Sequence, residues 1–366
     1  MKIGIITITE GENLGNRLQN YAVQQYIEKS TGTKPETIRN YKSYKIYKYV
    51  LDKWIIAIKR YIKILLLREK ISSVKRIRNF KKFNRKNINY SKYRISNISI
   101  NKKINNSYDY FICGSDQIWN PNYKENSYVN FLQFADKNKR IAFSPSFGTS
   151  DINEEMKDNY SKWLKEIPKL SVREDRGKEL IEEMTGREDV EVLVDPTMLL
   201  TIDEWQKVII RPKKLKTDKF ILNYFLGEIP EKRKKEIERI AKENNCQIIN
   251  ILDKNSQFYE CGPSEFLYLE KNAFLICTDS FHSCVFAILF NRPFIIFDRE
   301  DSSKSAVVKM GSRLDTLLNK FNLKDRRFQD KIRDEQLKID YTEAYQILER
   351  ERKKTKHFIE RAIKKD

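Results

Sequence analysis

The chain has 366 residues, 40% of them hydrophobic, and a formal net charge of +20 at pH 7. Its length predicts about two domains. It lacks the run of about 18 apolar residues that a transmembrane helix needs, which argues against an integral membrane protein. The five cysteines have no close metal-type spacing, so we expect buried free thiols in a reducing cytosol.

The N-terminal residues predict a strand followed by a helix. Ile3 to Ile8 is apolar but lacks the long core and cleavage site of a signal peptide, so we expect a first strand and a cytoplasmic protein. A helical apolar period runs from about Arg17 to Lys29. The backbone N–H groups of Gly15 and Asn16, at the start of this helix, are suited to an anion, with a plain tight turn as the alternative.

Residues 42–103 carry most of the positive charge. They contain twenty Lys and Arg against two acids, a net charge of +18, so the rest of the chain is close to neutral. Trp54 to Leu67 and Ser73 to Arg85 predict amphipathic helices with basic faces. Three interpretations stay open: a solvated arm or contact in a homo-oligomer, a surface that rests on anionic lipid, and nucleic-acid binding. The last is the least favoured, because no recognition motif or aromatic platform accompanies the charge, and we expect no nucleic-acid partner.

Short apolar runs alternate with helical periods between residues 104 and 200, a pattern typical of a doubly wound α/β sheet. The predicted strands are Tyr108 to Cys113, Arg140 to Phe143, Leu170 to Val172 and Val190 to Val194. The predicted helices are Ile152 to Ile167 and Arg176 to Thr185. Each strand ends in small or charged residues. Ligands bind at the carboxyl ends of parallel strands, so these residues are candidates for a site.

The strand ends of this half supply several candidate site residues. Gly114 and Ser115 directly follow a strand and permit close backbone approach to a ligand. Asp116 is suited to orient a sugar hydroxyl or act as a base, with capping of the next turn as the alternative. Asp195 has the same two interpretations, and capping is favoured because a proline follows it.

Arg173 is a candidate for bidentate binding of a carboxylate or phosphate. The alternative is a structural ion pair with Glu174 or Asp175.

The α/β pattern restarts after a linker at about residues 201–217. Its predicted elements are strand Phe220 to Phe225, helix Pro230 to Asn244, strand Gln247 to Leu252, helix Pro263 to Lys271 and a helix near Leu314 to Phe321. We therefore expect four parts. They are an N-terminal Rossmann-like domain over 1–200 with the basic insertion 42–103, the linker 201–217, a second Rossmann-like domain over 218–334, and a charged helix over 335–366.

The stretch from Ala273 to Phe297 predicts one strand–helix–strand unit of a parallel sheet. His282 lies at the turn into its helix, where an imidazole can act as an acid or base or bind phosphate. Hydrogen bonding within the loop is the alternative. We expect Asp279 to cap the helix. Arg313 precedes a later helix and is a candidate cation, with a surface arginine as the alternative.

Five separated motifs together resemble the polysaccharide pyruvyl transferase family over roughly Lys2 to Leu323. They are Asn13 to Tyr21, Gly114 to Pro121, Ser171 to Glu174, Asp195 to Thr197 and Thr278 to His282. The resemblance implies two doubly wound Rossmann-like domains facing a cleft, as in GT-B glycosyltransferases. It also implies transfer of pyruvate from phosphoenolpyruvate to two sugar hydroxyls as a cyclic ketal, with release of phosphate.

The resemblance implies no metal and no cofactor besides the donor substrate. The acceptor it implies is a glycan or lipid-linked saccharide at the cytoplasmic face of the membrane. The candidate catalytic residues are His282 and Asp116. The candidate substrate-binding residues are Arg173, Arg313, Gly15, Asn16, Gly114, Ser115 and Ser280.

One position departs from the family pattern. Relatives often carry Arg-Leu-His where this chain has Ser280-Phe281-His282, so a donor-binding cation is missing. Either Arg313 or Arg17 compensates, or the donor differs. The alternatives are a GT-B-type glycosyltransferase with a nucleotide-sugar donor, for which Glu265 is a weak candidate ribose ligand, and a non-catalytic adaptor that docks on the membrane through residues 42–103.

Overall fold

The computed structural model describes residues 1–41, 51–52, 54–56, 58–59, 71–123, 126–299 and 312–363. The chain forms two compact units. The first unit comprises residues 1–69, 87–199 and 350–366, and the second comprises residues 70–86 and 200–349. The second unit therefore includes a piece of the predicted basic insertion.

Eleven strands and ten α-helices have bounds that are given within the described residues. The strands are β1 (Ile3–Ile6), β2 (Glu36–Asn40), β3 (Tyr90–Ile95), β4 (Tyr110–Cys113), β5 (Arg140–Ala142), β6 (Lys169–Val172), β7 (Glu191–Val192), β8 (Phe220–Tyr224), β9 (Gln247–Asn250), β10 (Leu275–Thr278) and β11 (Phe294–Ile296). The helices are α1 (Leu14–Thr31), α2 (Ile71–Asn87), α3 (Glu154–Lys165), α4 (Asp175–Thr185), α5 (Ile202–Gln206), α6 (Glu231–Glu243), α7 (Pro263–Asn272), α8 (Phe281–Leu289), α9 (Ser312–Lys320) and α10 (Thr342–Ala362).

Each unit is built on a parallel sheet whose strand order reverses once. The first sheet has the order β3-β2-β1-β4-β5-β6-β7, so its reversal point lies between β1 and β4. The second has the order β11-β10-β8-β9, which reverses between β8 and β10. The predicted doubly wound architecture is confirmed in both units. In such sheets the reversal point is the usual place for a ligand.

Buried apolar side chains on both faces of each sheet form the cores. In the first unit Trp119 stacks on Phe131 with 5.1 Å between ring centroids, and Tyr160 meets Phe131 edge to face. In the second, Ile240 of α6 belongs to a core cluster with Leu275 of β10. The central strands β1, β8 and β10 are short and fully buried, as expected when helices cover both faces of a parallel sheet.

The structure departs from the sequence-based predictions in three places. Strands β2 and β3 were not predicted, and α5 lies inside the predicted linker 201–217. The charged tail is not one helix from residue 335, because a short 3₁₀ helix, Asp334–Leu337, precedes α10. The predicted helix Ser73 to Arg85 is confirmed within α2.

The predicted helix Trp54 to Leu67 lies only partly within the described chain. Residues 54–56 and 58–59 are helical, and residues 60–67 lie outside the described residues.

All five cysteines are free thiols, as predicted. Burial raises the pKa of the Cys113, Cys277 and Cys284 thiols.

Among the described residues, none of the helices has both the length and the apolar character needed to cross a bilayer.

Candidate functional site

The carboxyl ends of the first unit's strands bring polar and charged side chains to one edge of the sheet. Thr7 follows β1, Ser115 follows β4 and Arg173 follows β6. The Thr7 hydroxyl lies 3.3 Å from the carbonyl oxygen of Ser115, so these two residues meet at the reversal point between β1 and β4.

Arg173 forms a buried ion pair at this edge. Its Nη1 lies 2.5 Å from Oδ2 of Asp195 and its Nη2 lies 3.9 Å from Oδ1 of Asp116. Burial alone would lower the pKa of the guanidinium. The carboxylates of Asp195, Asp116 and Glu174 raise this pKa by more, so it lies above its ordinary value. Arg173 is therefore permanently charged and holds three strand ends together.

The ion pairs of Arg173 are with Asp195 and Asp116, two carboxylates that the structural alternative in the sequence analysis did not name. The Glu174 carboxylate instead accepts hydrogen bonds from the Ser146 hydroxyl at 2.8 Å and the Phe147 N–H at 2.9 Å. Asp195 caps the turn that follows it, as favoured from the sequence, by accepting from the Thr197 N–H at 2.9 Å. The other carboxylate oxygen of Asp195, Oδ2, forms the ion pair with Arg173. Direct binding of substrate by Arg173 stays a prediction.

Asp116 is the candidate base of this unit. Its backbone lies in the left-handed region, with φ of 65°, which is uncommon for a residue with a side chain. Its Oδ1 accepts from the Gln117 N–H at 2.7 Å, whereas its buried Oδ2 has no hydrogen-bond partner among the described residues. Strained backbone clusters at functional sites, and a buried oxygen of this kind is suited to a ligand hydroxyl.

Gly114 and Ser115 make a close approach to the neighbouring strand. A Cβ on Gly114 would lie 2.4 Å from the backbone oxygen of Phe143, and φ of Gly114 is 115°. The Ser115 hydroxyl donates to the Ser144 carbonyl at 2.7 Å. Glycine is thus required at position 114 by the backbone conformation and by the close backbone of Phe143. A ligand-binding role for Gly114 or Ser115 stays a prediction.

Helix α1 brings buried donors to the reversal point. Asn13 caps it by accepting from the Asn16 N–H at 3.1 Å, so Gly15 and Asn16 lie in its first turn. The Arg17 side chain donates to the carbonyls of Ile8 and Gly11. Burial lowers the pKa of Arg17, and nearby groups, Asp116 among them, raise it by less.

Three buried donors on α1 have no acceptor among the described residues. They are Nε of Arg17, Nε2 of Gln19 and Nδ2 of Asn20. The Gln19 carbonyl oxygen accepts from the Thr7 hydroxyl at 3.1 Å, which places this side chain at the end of β1. Sequence reasoning missed Gln19. The sequence signal that could have identified Gln19 is a polar residue on the face of α1 that packs toward the sheet.

In the second unit, His282 lies in the first turn of α8, directly beyond β10. It is buried, and its ring meets that of Phe281 edge to face with 5.5 Å between centroids. Ser280 is the N-cap residue of α8, but its side chain forms no capping hydrogen bond. Both residues lie beside the reversal point between β8 and β10.

Asp279 does not cap α8, so that prediction was wrong. Its carboxylate accepts from the N–H groups of Leu226 at 2.7 Å and Gly227 at 2.8 Å, beyond β8. Nε of Arg299 donates to the same carboxylate at 3.1 Å. Asp279 therefore joins the ends of β8 and β10. Sequence reasoning missed Arg299, a cation three residues beyond β11.

The helix that carries His282 is anchored by a buried acid that the sequence did not single out. The Ser283 hydroxyl donates to Oε1 of Glu270 at 2.6 Å. Burial raises the pKa of Glu270 well above its ordinary value. This contact fixes α8 on α7.

Arg313 lies in the first turn of α9 and is buried, which rules out the alternative of a surface arginine.

Glu265 accepts a hydrogen bond from the Gly262 N–H at 3.1 Å and so caps the start of α7. Within the described ranges, no group of three or more His, Cys, Asp or Glu is arranged to hold a metal ion.

The second unit also contains a cavity of about 430 Å³ at the carboxyl ends of β8 and β9. Phe225, Ile248 and Leu252 are among its apolar lining residues, and Asn223 and Asp253 are among the polar ones. Oδ1 of Asn223 has no hydrogen-bond partner among the described residues.

The sequence profile of the polysaccharide pyruvyl transferases matches residues 13–302. The chain belongs to this family. No curated protein matches it.

Among solved structures, this family member is similar to a putative UDP-N-acetylglucosamine 2-epimerase from Listeria monocytogenes. The identity is 10%, the TM-score is 0.51, and the match covers 98% of this chain and 90% of the other. A UDP-GlcNAc 2-epimerase from Methanocaldococcus jannaschii gives 16% identity and a TM-score of 0.46, over 95% of this chain and 99% of the other. The first likeness confirms the GT-B-like fold class.

Proposed function

We propose that this protein transfers pyruvate from phosphoenolpyruvate to two hydroxyls of one sugar in a glycan, forming a cyclic ketal and releasing phosphate. Family membership supports a transferase that acts on polysaccharide. The observation that supports phosphoenolpyruvate as the donor concerns buried N–H groups of Arg17 and Gln19. They have no acceptor among the described residues, and they lie near the start of a helix and beside a strand-order reversal. Such donors are suited to a phosphate or carboxylate.

The reaction needs one acid and one base. A proton added to the methylene carbon of the donor makes its C2 electrophilic, and a sugar hydroxyl adds there and loses its proton. The bond from C2 to the phosphate oxygen then breaks, the second hydroxyl adds to C2, and its proton leaves with phosphate. The two hydroxyl protons therefore balance the one gained by carbon and the one gained by phosphate.

Each role has a candidate in the chain. Asp116 is the proposed base, because its Oδ2 is buried and has no hydrogen-bond partner among the described residues. His282 is the proposed acid or phosphate ligand, because it lies in the first turn of a helix at a strand-order reversal. Arg17 is the proposed donor-binding cation, and Arg173 holds Asp116 in place through the buried ion pair.

A lipid-linked or polymeric saccharide is the proposed acceptor, with the protein working at the cytoplasmic face of the membrane. The proposed chemistry needs no further cofactor.

The experiment follows phosphate release from phosphoenolpyruvate with crude glycan lipid as acceptor. We expect release that depends on both substrates and a pyruvyl ketal in the product by mass spectrometry. Arg17→Lys keeps the charge but loses Nε as a donor, so it should raise KM for phosphoenolpyruvate. Arg39→Lys, an exchange on β2, is the matched control and should not change KM. Glycan-dependent release of phosphate without a ketal would contradict the proposal.

A second candidate, glycosyl transfer from a nucleotide-sugar, is favoured by the cavity at the ends of β8 and β9. Its volume of about 430 Å³ and its mixed apolar and polar lining suit a nucleoside. Ile248→Trp would fill this cavity. If the protein uses a nucleotide-sugar, this change abolishes its thermal stabilisation by that donor, whereas stabilisation by phosphoenolpyruvate alone supports the first proposal.

A further inference from the structure

The cavity at the carboxyl ends of β8 and β9 lies wholly within the second unit. Its volume of about 430 Å³ is in the range of small-molecule sites. Its apolar lining includes Phe225 after β8, Ile248 of β9 and Ile237 of α6. The ring of Phe225 packs edge to face against that of Phe297, with 5.3 Å between centroids. The cavity therefore offers a ligand a firmly packed apolar surface.

The buried polar group of this cavity is a hydrogen-bond acceptor. Nδ2 of Asn223 donates to Oδ1 of Asn250 at 2.9 Å, so amides from β8 and β9 lie side by side in the lining. Asn223 is 7% exposed, and its buried Oδ1 has no hydrogen-bond partner among the described residues. Leaving a buried acceptor unsatisfied costs free energy. A ligand that brings an O–H or N–H group to this oxygen removes that cost.

The charged side chains of the lining favour a ligand without negative charge. They are the carboxylates of Glu238 and Asp253 and the ammonium of Lys234. The ammonium lies 3.7 Å from a carboxylate oxygen of Glu231, which is not part of the lining. Two carboxylates thus outweigh one cation that already has a partner. They repel a phosphate or a carboxylate on a ligand, whereas they accept hydrogen bonds from hydroxyls.

The cavity shares a loop with the residues that precede His282. Gly227 lines the cavity, and its N–H donates to the carboxylate of Asp279 at 2.8 Å. Asp279 follows β10, and His282 lies three residues later in the first turn of α8. In the sheet, β8 lies between β9 and β10. A ligand in the cavity therefore occupies the same edge of the same sheet as the proposed acid, on the neighbouring strands.

We propose that this cavity binds one uncharged sugar unit of the glycan. The inference rests on the proposed pyruvyl transfer and adds the subsite and the class of sugar that it takes. A pyranose brings several hydroxyls, which donate to Oδ1 of Asn223 and to the two carboxylates, and C–H groups that pack on the apolar lining. A uronic acid, phosphoenolpyruvate and the phosphates of a nucleotide-sugar all bring negative charge to Glu238 and Asp253.

Saturation-transfer NMR with the full chain, in the absence of phosphoenolpyruvate, tests the proposal. The uncharged probes are the methyl glycosides of glucose, galactose, mannose and N-acetylglucosamine, and the charged probes are methyl glucuronide and UMP. We expect saturation transfer to at least one uncharged glycoside and weaker binding of both charged probes. Ile248→Trp fills the cavity and should abolish this transfer. Ile210→Trp, the same exchange at an exposed position outside the lining, should keep it.

Charge substitutions test the same site without filling it. A carboxylate about 6 Å from a charge of the same sign costs about threefold in affinity in water. Glu238→Gln/Asp253→Asn, at two exposed positions, should therefore strengthen binding of methyl glucuronide about tenfold and change that of the uncharged glycoside by less than about threefold. Glu243→Gln/Asp218→Asn changes two exposed acids outside the lining and is the matched control, which should alter neither affinity.

Three results would overturn the inference. The first is an absence of saturation transfer to every uncharged glycoside. The second is transfer that Ile248→Trp leaves unchanged or, if that variant does not fold, an unchanged affinity for methyl glucuronide in the Glu238→Gln/Asp253→Asn variant. The third is tighter binding of UMP than of any glycoside, which would make the cavity a nucleotide site. Failure of the proposed function gives a different result, namely sugar binding at this site without ketal formation in the phosphate-release assay.

Discussion

Replacing Arg173 by methionine removes the positive charge from the buried cluster at the strand ends of the first unit. The side chains of Arg173 and Asp195 are 1% and 0% exposed, and their charged atoms lie 2.5 Å apart. Removing one partner of a buried ion pair costs about 3 to 5 kcal/mol, because the other charge is left buried and uncompensated. We expect Arg173→Met to lower the free energy of unfolding of the first unit by this amount.

Urea unfolding at pH 7, followed by tryptophan fluorescence, measures the change. Arg176→Met is the matched control, because Arg176 pairs with exposed glutamates and should change stability by less than about 1 kcal/mol. The double variant Arg173→Met/Asp195→Leu removes both charges. Its loss should be smaller than the sum of the two single losses by about 0.5 to 3 kcal/mol.

An unchanged urea midpoint for Arg173→Met, combined with loss of affinity for phosphoenolpyruvate, would refute this reasoning. Arg173 would then be a direct substrate ligand whose buried ion pair adds nothing to stability.

Three further predictions concern other buried groups. The folded state holds the pKa of Glu270 above its ordinary value of 4.5. The contribution of Glu270 to the free energy of unfolding is therefore fully present below pH 4.5 and is lost as pH rises toward the folded-state pKa. Glu270→Gln should therefore gain stability relative to wild type by about 1.4 kcal/mol per pH unit over that window, and an identical pH profile would contradict it. Gly114→Ala should destabilise the first unit by at least about 2 kcal/mol in urea unfolding, because its Cβ would meet the backbone of Phe143. Asp279→Asn weakens hydrogen bonds to a carboxylate and should lower the stability of the second unit by about 1.5 to 3 kcal/mol, measured by its thermal midpoint; no change would exclude Asp279 as the link between β8 and β10.

The alternation of strands and helices was predictable because buried parallel strands are short apolar runs. Tyr110–Cys113 and Leu275–Thr278 are of this kind. Strands β2 and β3 were not predictable, since Glu36–Asn40 and Tyr90–Ile95 mix polar and apolar residues and show no clear period. β3 is an edge strand of its sheet and β2 is the strand next to it, and neither is fully buried, so their sequences carry a weaker signal.

The positions of the site residues were predictable, but their partners were not. Asp116, Arg173 and His282 each follow a strand, which local sequence reveals. The ion pair of Arg173 joins residues 22 positions apart, and the two backbone donors to Asp279 come from more than 50 positions away. Such contacts depend on strand order, which no local pattern encodes.

The central claim is that a buried histidine at the start of α8 acts in pyruvyl transfer from phosphoenolpyruvate. The chain contains two histidines, and His357, exposed on α10, provides the matched control. The most direct test compares phosphate release by His282→Ala and His357→Ala under the same conditions. The account predicts a loss of about 100- to 10,000-fold for His282→Ala alone. A His282→Ala rate within roughly threefold of wild type would contradict it, since loss of an acid or base costs far more.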